Sequence, residues 1–178
     1  MKQQFLFILF ALGAAVSACL PSFWAKPVCF LCIAVLLFLG LSALHDSCTD
    51  ALTGLQNRRG LERFRSTFRK DDPITLLYLD VNDLHTVNRT RGHAAGDQLL
   101  QELAADLAAI PHAQAFRIGG DEFLLLRRGQ NPDGLLSLWA AVSASGTVSA
   151  GAAAGTAGSW EQLLKDAEQA MYRQKEDL

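Results

Sequence analysis

The chain has 178 residues, half of them apolar, and a formal net charge of −2. That is room for one soluble domain and a short appendage, and the balance excludes a basic nucleic-acid patch and a polyacidic tail. The apolar residues are unevenly spread: residues 1–44 hold two lysines and no acid, and almost every other charge lies beyond Asp46.

Phe5 to Leu20 and Val28 to Leu44 are runs of apolar and small residues, near the short end of the roughly 17–25 residues that span a bilayer. The first run extends toward Trp24, since Pro, Ser and Trp are tolerated at the interface. Two membrane helices, about 5–24 and 28–44, with a short external turn around Pro21 to Pro27, are the economical reading of residues 1–45. Lys2 and the arginines from Arg58 onward then face the cytoplasm. A rival reading takes the first run and Val16-Ser17-Ala18-Cys19 as a lipoprotein signal ending in a lipidated cysteine. Cys29-Phe30-Leu31-Cys32 has the spacing of a reversible disulfide, set against the simpler reading of small apolar residues in a membrane helix.

Residues 46–178 form the soluble domain. Asp50-Ala51-Leu52-Thr53-Gly54-Leu55-Gln56-Asn57-Arg58-Arg59 leads in, with Asp50 and Thr53 as N-cap-type side chains and Gly54 at a turn. Asn57 to about Phe68 carries Leu61, Phe64 and Phe68 on one helical face. Asp71-Asp72-Pro73 breaks it. Ile74 to Val81 reads as a strand buried on both faces, ending in Asp80, an acid placed either to cap a helix or to hold a metal at the sheet's edge.

Asn82 to Arg91 is helical in pattern and stops at Gly92. A second helix opens at Gly96-Asp97 and runs to Leu107, with Leu99, Leu100, Leu103 and Leu107 toward the core. Phe116-Arg117-Ile118-Gly119-Gly120-Asp121-Glu122-Phe123-Leu124-Leu125-Leu126 then reads as two antiparallel strands joined at Gly119-Gly120. Glycine permits a sharp turn and close approach of a ligand, and two carboxylates follow at once, a setting for a phosphate and its divalent cation or for solvated acids at a turn. Asn131-Pro132-Asp133-Gly134 is a turn and Leu135 to Ser143 a short helix. The small residues from Gly146 to Ala153 imply a closely packed strand, and Trp160 to Lys175 is the last helix, with Leu163, Leu164, Ala167, Ala170 and Met171 inward.

With these motifs in this order, the chain resembles the GGDEF family of diguanylate cyclases from about Asp50 to Lys175. The resemblance rests on the entry motif, Asn88, the run Gly92-His93-Ala94-Ala95-Gly96-Asp97, the Gly119-Gly120-Asp121-Glu122-Phe123 signature and the Ala167-to-Lys175 segment. It implies an α+β fold, a palm-like, antiparallel-rich central sheet flanked by helices. It implies condensation of two GTP molecules into cyclic di-GMP and two pyrophosphates by two domains facing each other as a homodimer.

By the same resemblance, Asp80, the Val81 carbonyl and Asp121 bind magnesium, two ions per site, with manganese as a substitute. Glu122 is a second metal ligand or the base, and Asp121 and Glu122 carry the catalysis. Gly119 and Gly120 admit the phosphates. Asn88 and Asp97 bind guanine through donors and acceptors suited to its edge, and Lys175 reaches the β- or γ-phosphate. No nucleic-acid partner is implied. GTP is intracellular, so the domain is expected on the cytoplasmic side of a bacterial inner membrane, with the lipid bilayer as a further partner.

Departures accompany the matches. His85 stands where the family usually has a phosphate-directed lysine, Arg89 and Asn82 replace acids, and Glu168 replaces an aspartate. The sequence stops before the family's Gly-Arg-Asn segment, so an arginine that helps hold phosphate is expected to be missing and the domain C-terminally shortened. Ile110-Pro111-His112-Ala113 occupies the place of the inhibitory Arg-x-x-Asp motif, so product inhibition there is not expected. The alternative function is a catalytically degenerate module that binds GTP or a protein and signals by shape.

Overall fold

The computed structural model describes residues 22–46, 48–142 and 148–176, and the chain divides after Asp46 into two units. In the first, α1 runs Ser22–Asp46 for 25 residues with Pro27 inside it. The expected turn around Pro21 to Pro27 is therefore helical from Ser22 onward. Proline's fixed φ is itself helical, so one near the start of a helix removes a backbone donor without unwinding the turn. Leu31, Ile33, Leu37, Phe38 and Leu41 are exposed. No helix among the described residues is long and apolar enough to cross a membrane. Most of the expected first span, and Cys19, lie outside the described residues, so the hairpin is not shown. The Cys29 side chain also lies outside them, and Cys32 is a half-buried free thiol.

The second unit follows the order β1 (Gln56–Asn57), α2 (Arg58–Arg65), β2 (Pro73–Val81), α3 (Leu84–Arg91), α4 (His93–Ala108), β3 (Ala113–Arg117), β4 (Glu122–Arg128), α5 (Pro132–Val142), β5 (Val148–Thr156) and α6 (Trp160–Glu176). The strands make one five-stranded sheet in the order β1-β3-β4-β2-β5. β1 and β3 are parallel and every other pair is antiparallel, so the sheet is mixed and antiparallel-rich.

β2 lies between β4 and β5, which explains its near-continuous apolar sequence. Its alternate residues enter two cores. Leu77, Leu79 and Val81 pack with Leu100, Leu103 and Leu107 of α4 and with Leu135 and Trp139 of α5. Ile74, Leu76 and Tyr78 pack on the opposite face with Leu61 of α2 and Trp160, Leu163, Ala167 and Met171 of α6. The small residues of β5 let α6 settle close: a Cβ on Gly151 would lie 2.1 Å from the Met171 nitrogen and 2.3 Å from the Ala167 oxygen.

Several boundaries differ from the sequence reading, each with a local cause. α2 stops at Arg65 rather than near Phe68, because the Ser66 and Thr67 hydroxyls bond back to the Arg63 and Phe64 carbonyls, a local alternative to continued helix. Asn57, rather than Asp50 or Thr53, caps α2, accepting from the Arg59 and Gly60 amides. α4 opens at His93, not at Gly96-Asp97, because Gly92 at φ 86° separates it from α3. Gly146 and Thr147, read as the start of the fifth strand, lie outside the described residues.

Candidate functional site

The site gathers at one end of β2. Asp80 faces Glu122 directly across the β2–β4 ladder, and opposed residues of an antiparallel pair put their side chains on the same face. Tyr78, two residues before Asp80, shares that face by the strand's period of two. Its hydroxyl donates to Glu122 Oε1 at 2.7 Å. Tyr78 is only 5% exposed, and burial, reinforced by the Glu122 bond, pushes its phenol above the ordinary value.

Asp121 and Glu122 diverge, as adjacent residues of an extended segment should. Glu122 turns toward Tyr78, while Asp121 stays in the turn, where its carbonyl accepts the Val81 amide at 3.0 Å. Neither Gly119 nor Gly120 has a positive φ. Space, rather than turn geometry, requires glycine at the first: a Cβ on Gly119 would stand 2.2 Å from Glu122 Oε2. A Cβ on Gly120 would meet nothing within 4 Å, so that position leaves open room beside the acids.

Lys175 comes from the last turn of α6 and pairs with Asp80 Oδ1. The hydrogen bond to Asp80 raises the ammonium pKa against the opposing cost of burial, and the fields of Asp80 and Asp121 add to the rise. The ammonium shows that the Asp80 carboxylate holds a positive charge here. Asp80 and Glu122 are hard oxygen donors suited to a magnesium ion that takes its other ligands from phosphate and water. No third acid, histidine or cysteine joins them in a metal-holding group among the described residues. Of the expected ligands, the structure brings Asp80 and Glu122 together, and it ties Val81 and Asp121 through their backbones.

Asn88 and Asp97 lie apart in sequence on α3 and α4. The half-buried Asn88 packs against Gly96, where a Cβ would sit 2.0 Å from its Oδ1. Asp97 is exposed one residue later. Gly96 is thus the contact that brings α3 and α4 together at this point. His85 is exposed on α3.

Two functional contacts escaped the sequence reading. One is Tyr78, which the strand period from Asp80 could have flagged. The other is Arg117, whose guanidinium donates to Asp50 Oδ1 at 3.0 Å and to the Gly120 carbonyl at 2.6 Å. Asp50 also accepts from the Thr53 amide and hydroxyl. Burial pushes the Asp50 carboxyl up, but the Thr53 bonds and Arg117 outweigh it and hold it below the ordinary carboxylate value. The entry motif is thereby clasped to the glycine turn.

A family profile described as "Diguanylate cyclase, GGDEF domain" matches residues 47–144. An uncharacterized Streptomyces griseus protein, encoded in the hutH 5′ region, is 38% identical over 148 residues, which is 71% of this chain and 61% of that protein. The Shewanella oneidensis diguanylate cyclase DgcS is 33% identical over 144 residues, 71% of this chain and 49% of its own length. The chain thus spans between about half and three-fifths of these two relatives. The coiled coil and GGDEF domain of DgcB from Caulobacter crescentus, solved in complex with c-di-GMP, superposes with a TM-score of 0.76 at 23% identity, covering 88% of this chain and 96% of that one. That likeness shows the fold.

Proposed function

The chain belongs to the GGDEF domain family, and from that premise we propose that it is a membrane-anchored diguanylate cyclase that condenses two GTP molecules into cyclic di-GMP. The observation that carries the reading is the Asp80–Glu122 pair, opposed across β2 and β4 beside the open Gly120 position and the Lys175 ammonium. Fold and signature motif alone would not locate chemistry; this pair supports placing it at the end of β2.

In this reading the GTP phosphates enter past Gly120, where no side chain stands in the way, and Lys175 exchanges Asp80 for a phosphate oxygen. Asn88 and Asp97 hold the guanine edge. Asp80, the Val81 carbonyl, Asp121 and Glu122 would hold magnesium or manganese, which supplies a Lewis acid that lowers the pKa of the attacking 3′-hydroxyl and steadies the leaving oxygen. The 3′-oxygen of one GTP forms a bond to the α-phosphorus of the other as the bond to pyrophosphate breaks, and Glu122 serves as base or ligand. Ring closure repeats the step in the opposite sense, so two copies of the domain must face each other.

Membrane anchoring is supported by α1. Leu31, Ile33, Val35, Leu37, Phe38, Leu39 and Leu41 are exposed, and at about 100° per residue they cover about two-thirds of the helix circumference rather than one narrow stripe. In this reading the domain lies on the cytoplasmic side of a bacterial inner membrane, where GTP is available. A second reading, a degenerate GTP-binding module, is favoured by one observation: Lys175 pairs with Asp80, and no third acid, histidine or cysteine side chain groups with Asp80 and Glu122 among the described residues.

The test incubates detergent-solubilised full-length protein with GTP and Mg²⁺ and reads products by mass spectrometry. Asp121→Ala combined with Glu122→Ala is the control. Cyclic di-GMP that disappears in the control supports the cyclase. GTP binding without product supports the degenerate module.

A further inference from the structure

Glu122 is held at one carboxylate oxygen and has room at the other. Oε1 accepts the Tyr78 hydroxyl at 2.7 Å, and Oε2 stands where a Cβ of residue 119 would be. Tyr78 is fixed in turn, because it is 5% exposed within the apolar cluster of Leu61, Phe116, Trp160 and Ala167. Beside Tyr78 and Glu122 lies a cavity of about 230 Å³, lined also by Arg58, Trp160 and Glu168. Without the phenol, a carboxylate at the start of β4 has that cavity as an alternative place to turn, its wall carrying Arg58 as well as Glu62 and Glu168. We infer that Tyr78 is a positioning residue: its hydroxyl occupies one Glu122 oxygen and so presents the other, over Gly119, to the cation and phosphates. This inference rests on the reading of Asp80 and Glu122 as the cation-holding pair.

The bond joins a neutral donor to an ionised acceptor, the stronger class of hydrogen bond. Removing only the hydroxyl should let the carboxylate turn away while leaving the packing nearly intact. The substitution is Tyr78→Phe in the full-length, detergent-solubilised protein. Mn²⁺ affinity, measured by electron paramagnetic resonance with a non-hydrolysable GTP analogue present, is expected to fall about ten-fold. Affinity for the same analogue without metal should not change. In a Glu122→Gln background Tyr78→Phe should change neither, because the two substitutions then act through one group.

Should Tyr78→Phe fail to fold, Tyr78→Met removes the hydroxyl with another apolar side chain and leaves Glu122 intact, and the same ten-fold fall is expected. Unchanged Mn²⁺ affinity in the folded variant overturns the inference. So does an equal fall in the Glu122→Gln background, or a wild-type protein that binds no Mn²⁺. Failure of the cyclase reading has a different signature, the absence of cyclic di-GMP while the Mn²⁺ difference persists.

Discussion

Gly119 and Gly120 are adjacent and chemically identical, yet they do different work. Alanine at 119 would push its Cβ into the end of the Glu122 side chain, which is flexible and can move at little cost to the fold. Moving it removes the carboxylate from its place opposite Asp80. Gly119→Ala should therefore leave the melting temperature nearly unchanged while lowering cyclic di-GMP formation about 100-fold, the scale of a misplaced catalytic group. Gly120→Ala has free space and should keep the fold, losing activity only through a raised KM for GTP. Steady-state kinetics beside thermal melts checks both. A second prediction concerns Asp50, whose carboxyl is depressed in the folded protein. A depressed acid contributes stability that is present above its unfolded value and lost as pH falls through the folded one. Wild-type melting temperature should drop more steeply than that of Asp50→Asn between about pH 5 and pH 3; parallel curves would show that the Thr53 and Arg117 contacts do not stabilise the fold.

At the scale of elements, the closest joint is β5 against α6. An added methyl at Gly151 meets backbone atoms of Ala167, Ala170 and Met171 rather than a movable side chain. Gly151→Ala should destabilise the domain by about 1–3 kcal/mol or more, as overpacking of a tight core does. It should also displace the helix that carries Lys175, so activity should fall even in the folded fraction at low temperature. Denaturant titration and activity per folded molecule separate the two effects. This joint was partly legible in advance, because a run of glycine and alanine in a strand announces close approach. The buried leucines of β2 were legible for the same kind of reason, since a strand covered on both faces needs them. The start of α4 was not. Gly92 breaks the chain through its own φ, whereas the Gly96-Asp97 pair looked like a helix start and Gly96 is instead packed against Asn88 inside α4. The Tyr78–Glu122 bond joins residues 44 apart in sequence, and only the register of β2 against β4 reveals it.

At the scale of the whole molecule, the GGDEF domain and the helix before it are separate units, and the proposed chemistry needs two domains. A tether to one surface raises the effective concentration of the pair. A protein lacking residues 1–46 should retain its melting temperature within the domain yet show specific activity that rises with protein concentration. The full-length protein in membranes should show specific activity independent of dilution. Identical concentration dependence in the two would remove the anchor from the explanation. The position of β2 carries a further consequence, for synthesis. β2 leaves the ribosome before either neighbour, since β4 begins at Glu122 and β5 at Val148. During that interval Leu76, Leu77 and Leu79 have no cover and both edges of the strand are open, a template for pairing with another chain. The nascent domain therefore depends on translation continuing through Thr156 before its most aggregation-prone segment is enclosed, and a pause between β4 and β5 is where a chaperone would matter most.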